Sequence, residues 1–240
     1  MLGTMMNALV RRTLFFELAQ SRHYFKGSVY EWSSSLPSGH PLTSLINCIY
    51  NQVAFRMCWI TLLDSVPVAM RPERDEFHNH VVLFVHGDDN LFAVSDWAAQ
   101  FFTMDFIQSA MAENLGLQYT DETKGDTIKG WRSITDVEFL KRSFRYDDKL
   151  QRWVAPWRLT ALLECLNWTR KGDQALQIVF DKVQLALKEL SLHEKEVFDY
   201  WHALISRMYY LKLGRHSPPS LPVGYRRCQS MVLDQPFFLY

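Results

Sequence analysis

No charge of one sign dominates this sequence: 26 Lys and Arg balance 26 Asp and Glu over 240 residues. That balance excludes a global basic field of the kind that gathers nucleic acid, so any such role has to come from local charge. Cysteine is scarce and scattered. Cys48, Cys58, Cys165 and Cys228 form no Cys-x-x-Cys pair, which removes zinc ribbons and redox dithiols from consideration. With no leader-like segment ahead of them, they read as buried, reduced thiols of a cytosolic protein. Long apolar runs are missing too, because the most apolar stretch, residues 42–63, is interrupted by Asn47, Asn51, Gln52 and Arg56. No membrane span is expected there. Internal repeats and low-complexity tracts are also lacking.

What is present is globular: 48% apolar, 14% aromatic and 22% charged residues, enough for one large domain or two small ones. One stretch departs from neutrality. Residues 124–171 hold eleven basic side chains against six acidic ones, a local excess of five, which by itself describes a solvated surface.

Periodicity supplies the element order. Met6, Val10, Leu14 and Leu18 recur at steps of four, predicting an amphipathic first helix. A short strand is expected around Val29–Trp32, followed by a Ser/Pro/Gly loop ending at Pro41. From Leu42 the residues Ile46, Ile49, Val53, Met57 and Ile60 continue an apolar stripe at helix period, while Thr43, Asn47 and Asn51 make a polar row on another face. Ser95-Asp96 reads as an N-cap and Gly116 as the stop of one helix. Strands are expected near residues 117–120, 138–145 and 150–154, then helices over 159–169, 174–190 and 193–213. The segment after Ser217 reads as irregular.

Gly87-Asp88-Asp89 stands between two apolar runs, Val81–Val85 and Leu91–Val94, so a tight hairpin would present two adjacent carboxylates. Adjacent anions repel, and a cation beside them relieves the repulsion. Mg²⁺ prefers hard oxygen ligands and retains water, which suits an open turn carrying Asp. Upstream, Ser38-Gly39 with Thr43 and Asn47 gives S-G-x-x-x-T-x-x-x-N, forty positions before Gly87.

Together these residues resemble motifs B and C of viral RNA-dependent RNA polymerases of the picornavirus-like group, which includes dicistroviruses and iflaviruses. Gly116-Leu117 through Lys124 is similar to motif D, and Phe139-Leu140-Lys141-Arg142 to motif E. Ala155-Pro156-Trp157 with Trp168-Thr169 resembles the start of the thumb helices. The likeness runs over roughly residues 27–215, and four ordered motifs are jointly specific where each alone is not.

The resemblance implies an α+β fold, with a partial palm over residues 1–154 and a mainly helical thumb over 155–240. It implies RNA-directed RNA polymerase chemistry: ribonucleotidyl transfer with two Mg²⁺ ions, or Mn²⁺ in their place, on an RNA template and primer. Asp88 would be a metal ligand and Asp89 the supporting carboxylate. Ser38, Thr43 and Asn47 would recognise the ribonucleoside triphosphate at its ribose, Lys124 would protonate the departing pyrophosphate, and Lys141 and Arg142 would grip the primer backbone. Taken singly, Ser38 is a turn cap, Asn47 a helix-internal hydrogen bonder and each lysine a solvated charge. Other viral replication proteins are the implied partners, and replication complexes in the host cytoplasm the implied location.

Two departures stand out. Motif A, whose Asp-x₄₋₅-Asp supplies the remaining metal carboxylate, should precede Ser38, yet only Glu17 and Glu31 are acidic there. The expectation is therefore a C-terminal polymerase piece, and the competing reading is a catalytically inactive folded remnant that binds RNA weakly. His86 also replaces the usual Tyr before Gly-Asp-Asp. Reverse transcriptases share paired palm aspartates but not the Ser/Thr/Asn row. His78-x-His80 lacks a third ligand, and the tryptophans at 153, 157 and 168 read as core rather than base-stacking residues.

Overall fold

The computed structural model describes residues 2–33, 36–121, 130–168, 174–214 and 218–234. It is α+β, with helices interleaved with four two-stranded antiparallel hairpins. The chain divides into two compact units, Met1–Trp131 and Arg132–Tyr240.

In the first unit, α1 (Leu2–Ala19) leads into the hairpin β1 (Arg22–Phe25) and β2 (Ser28–Glu31). Helix α2 (Thr43–Ser65) follows, then a single 3₁₀ turn and α3 (Phe77–His80). The second hairpin pairs β3 (Val81–His86) with β4 (Asp89–Val94). Helices α4 (Asp96–Ala99) and α5 (Met104–Leu115) complete the unit.

The expected single helix over this last region is two helices. Ser95 Oγ accepts from the Ala98 N–H to start α4, and Thr103 Oγ1 accepts from Phe106 to start α5. A second N-cap wins over the continuous apolar period. Gly116, at φ +64°, ends α5 in the left-handed conformation as the sequence predicted. Residues 117–120 are irregular rather than the expected strand.

The first core lies under α2. Ala54, Phe55, Cys58, Trp59, Leu62 and Leu63 pack against Phe77, Val81, Phe102, Ile107 and Met111. Trp59 is 1% exposed, with Phe77, Trp97 and Phe102 edge-on to its ring and His80 stacked on it. Burial pushes the Cys58 thiol up to about 11, as expected of an inert core cysteine. The stripe predicted to be buried is a different one: Ile49, Val53, Met57 and Ile60 are exposed. Helix α2 is apolar on two faces, and periodicity cannot say which of them meets the core. The first helix behaves alike, burying Leu18 while Met6, Val10 and Leu14 remain exposed.

The second unit opens with two short hairpins, β5 (Glu138–Phe139) with β6 (Arg142–Ser143) and β7 (Arg145–Asp147) with β8 (Arg152–Val154). Helices α6 (Leu159–Glu164), α7 (Ala175–Leu190), α8 (Lys195–Leu213) and α9 (Tyr225–Leu233) follow. Leu162, Val183, Leu187, Leu190, Phe198, Ile205 and Cys228 form its core. Helix α9 falls where irregular chain was expected, because Arg226, Arg227 and Gln229 mask a segment whose anchor is the fully buried Cys228. No helix among the described residues is long and apolar enough to cross a membrane.

Candidate active site at the Gly87 hairpin

The β3–β4 ladder ends at the pair His86 and Asp89, leaving Gly87 and Asp88 as a two-residue turn. Gly87 sits at φ +64° while Asp88 keeps negative φ, the pattern of a type II′ turn, in which the first central residue is glycine. Strand alternation buries Val81 and turns Val82, Phe84 and His86 outward. Asp89, paired across from His86, shares that outward face. Both Asp88 and Asp89 are exposed, and among the described residues neither forms an ion pair.

Helix α2 meets this turn with its polar side chains. Asn51 Nδ2 donates to the Asp88 carbonyl at 3.0 Å, and the Gly87 N–H donates to Cys48 Sγ at 3.0 Å. Asn47 is the residue next to Cys48, half-buried, and makes no side-chain hydrogen bond among the described residues. One turn earlier, Thr43 Oγ1 donates to the Pro37 carbonyl at 2.6 Å, tying the Ser38-Gly39 loop to the start of the helix. Gly39 at φ +87° allows that loop to turn back. Ser38 is exposed and lines a cavity of about 490 Å³ with His23, Phe25, Tyr30 and Trp32. The structure therefore brings Asn51, the far end of the polar row, to the Gly-Asp-Asp turn, and places Ser38 beside the β1–β2 hairpin.

The chain as a whole has counterparts among known proteins. A family model described as viral RNA-dependent RNA polymerase matches residues 8–208. The chain belongs to that family. It is 37% identical over 214 residues to the replicase polyprotein of Acute bee paralysis virus, covering 87% of this chain and 11% of the polyprotein. Against the replicase polyprotein of Drosophila C virus it is 35% identical over 187 residues, covering 78% of this chain and 10% of that one. Among solved structures it resembles a Sicinivirus 3Dpol RNA-dependent RNA polymerase with TM-score 0.67 and 20% identity, over 91% of this chain and 41% of that polymerase. The chain thus spans a small part of the polyproteins it matches.

As a member of this polymerase family, the chain has in Asp88 and Asp89 the hard oxygen donors that a divalent cation needs. Among the described residues no group of three or more His, Cys, Asp or Glu could cage a metal. The pair suits an ion that keeps its waters rather than one caged by protein alone. Lys124 lies outside the described residues.

Lys141 and Arg142 belong to the second unit and differ in their surroundings. Leu140 and Lys141 form the two-residue turn between β5 and β6, at φ +53° and +62°. Lys141 is exposed there and forms no ion pair among the described residues. Arg142 instead makes a bidentate bridge to Glu189, 2.9 Å on each arm, and donates to the Ala155 carbonyl at 2.7 Å. Its guanidinium also lies 5.6 Å from the Trp157 ring centre. Arg145 and Arg158 are paired as well, with Asp147 and Glu138. Of these three pairs only Arg142 with Glu189 draws an acid from outside residues 124–171, so most of the local basic excess read from the sequence stands.

Two contacts with the turn went unread in the sequence. Asn51 belonged to the predicted polar row but not to the predicted site, and Cys48 was read only as a core thiol. The available signal was their spacing, since positions i and i+3 share one helix face.

Proposed function

We propose that this chain contributes the motif B to motif E part of an RNA-directed RNA polymerase, with palm over residues 1–154 and thumb over 155–240. The observation that carries the reading is the contact between the polar side chains of α2 and the exposed Gly-Asp-Asp turn. Asp88, with Asp89 supporting it, would hold Mg²⁺ or Mn²⁺, which when bound activates the attacking hydroxyl and neutralises the triphosphate. Ser38, Thr43 and Asn47 select the ribonucleotide: a polar side chain that bonds the 2′-hydroxyl loses that partner with a deoxyribonucleotide. Lys124 supplies a proton to the leaving pyrophosphate. Lys141 contacts the primer backbone, positioning without reading sequence. Arg142, held by Glu189, acts from behind as a strut for the hairpin that displays Lys141.

RNA template, primer and ribonucleoside triphosphates are the proposed ligands. Other replication proteins are the proposed partners, in the host cytoplasm. Extension of a primed RNA with ribo- and deoxyribonucleotides in Mg²⁺ tests the reading. The expected result is ribonucleotide-selective extension, abolished by Asp88→Asn and made less selective by Asn47→Ala. Extension that survives Asp88→Asn overturns the assignment. RNA binding without any extension identifies a folded, inactive remnant.

A further inference from the structure

We propose that Cys48 and Asn51 are positioning residues that fix the Gly87-Asp88 turn and so aim the Asp88 carboxylate at a divalent cation; this rests on the metal reading above. A two-residue turn leaves peptide groups unbonded at its tip. The ladder pairs His86 with Asp89, and the Gly87 N–H and the Asp88 C=O lie beyond it. Unbonded peptide groups at a hairpin tip let the turn move between conformers, and Asp88 would swing with it. Here both groups are bonded from a single helix face. The Gly87 N–H donates to Cys48 Sγ at 3.0 Å and the Asp88 C=O accepts from Asn51 Nδ2 at 3.0 Å.

The two contacts are complementary in chemistry, one acceptor and one donor, spaced i and i+3 along α2. Reversing either role would leave a like group facing its like. Gly87 is buried although Asp88 and Asp89 are exposed, so the helix grips the backbone while the carboxylates stay free for a ligand. The grip is also selective. Asp89 is held by the strand ladder, so loss of either contact should loosen Asp88 first. Sulfur is a weak acceptor, and a hydroxyl at position 48 is the conservative replacement. The same helix carries Asn47, so the turn and the proposed ribose-sensing side chain share one rigid support.

Mn²⁺ titration followed by the electron paramagnetic resonance of the free aqua ion tests this, paired with hydrogen exchange at the Gly87 to Asp89 amides. Asn51→Ala, Asn51→Leu and Cys48→Ala are expected to weaken Mn²⁺ binding about tenfold, the low end for loss of an outer partner of a metal ligand. They should also speed Gly87 exchange, with the far-ultraviolet circular dichroism unchanged. Cys48→Ser should restore both readouts, which a mere cavity effect would not do. Asn51→Leu keeps the helix face filled should Asn51→Ala unfold the unit. If Asp88→Asn loses Mn²⁺ while the Asn51 and Cys48 variants bind within twofold of the parent chain, the positioning role is overturned and the metal reading stands. If Asp88→Asn binds Mn²⁺ as well as the parent, the metal reading falls and the positioning role with it.

Discussion

The two units handle charge in opposite ways. In the first, Asp88 and Asp89 stand exposed with no ion partner among the described residues, and the described ion pairs, Arg22 with Glu31 and Arg74 with Asp64, are solvent-facing ones distant in sequence from the turn. In the second, cations are drawn inward: Arg142 onto Glu189, and Arg145 onto Asp147 and the Leu192 carbonyl. Glu189 is only 9% exposed. Exposed like charges do nothing for stability, since they repel. Buried opposite charges hold elements together and are costly to break singly.

The largest expected effect tests that contrast directly. Arg142→Met leaves the Glu189 carboxylate enclosed and unpaired, and should cost about 3 kcal/mol, the lower end for a buried pair because the guanidinium is partly exposed. Asp88→Asn removes one of two repelling charges and should change stability by about 0.5 kcal/mol or less. Urea unfolding of both variants measures the pair. Arg142→Met combined with Glu189→Met should recover most of the loss. If that double variant also keeps its RNA affinity, Arg142 is structural and Lys141 alone faces the nucleic acid.

The contrast shows where the sequence was readable. Gly87-Asp88-Asp89 was legible because a hairpin turn has local rules: apolar runs on both sides, glycine at the position of positive φ, acids at the tip. Thr43, Asn47 and Asn51 were legible as one face because helix period fixes azimuth. What the period could not fix was which of two apolar faces of α2 is buried, and the exposed Ile49, Val53 and Met57 occupy the face predicted for the core. That choice is made by partners far along the chain, Phe77, Phe102 and Ile107, which no local pattern reveals. The charge count over 124–171 is incomplete for a related reason. Summing charge along a sequence assumes each charge meets solvent, whereas Arg142 finds Glu189 forty-seven residues on.

A smaller effect separates folding from function at the β5–β6 turn. Leu140 and Lys141 both lie at positive φ without glycine or asparagine in either place, a conformation that costs an ordinary side chain about 1 kcal/mol each. Lys141→Gly should therefore raise stability by up to about 1 kcal/mol, read as a higher urea midpoint. The same change should weaken RNA binding uniformly across sequences and lower its salt dependence by close to one charge. A variant both less stable and unchanged in RNA affinity would show that the strain is not maintained for the lysine.

The smallest effect lies in acid and belongs to the second unit. His193 is half-buried, donates from Nε2 to the Trp157 carbonyl at 2.8 Å, and offers its own carbonyl to Tyr225 at 3.1 Å. Burial lowers its pKa from the ordinary 6.5; the nearby Arg145 adds to the lowering, while the Trp157 hydrogen bond, Glu189 and Glu194 oppose it. A histidine whose folded pKa is depressed binds its proton more readily when unfolded. Its contribution is therefore fully present above the unfolded value of 6.5 and is lost as pH falls through the lower folded value. The second unit should lose stability as the solution is taken from neutral to mildly acidic. His193→Gln, which preserves a donor toward Trp157, should flatten that part of the profile. A profile that His193→Gln leaves unchanged would place the acid sensitivity elsewhere.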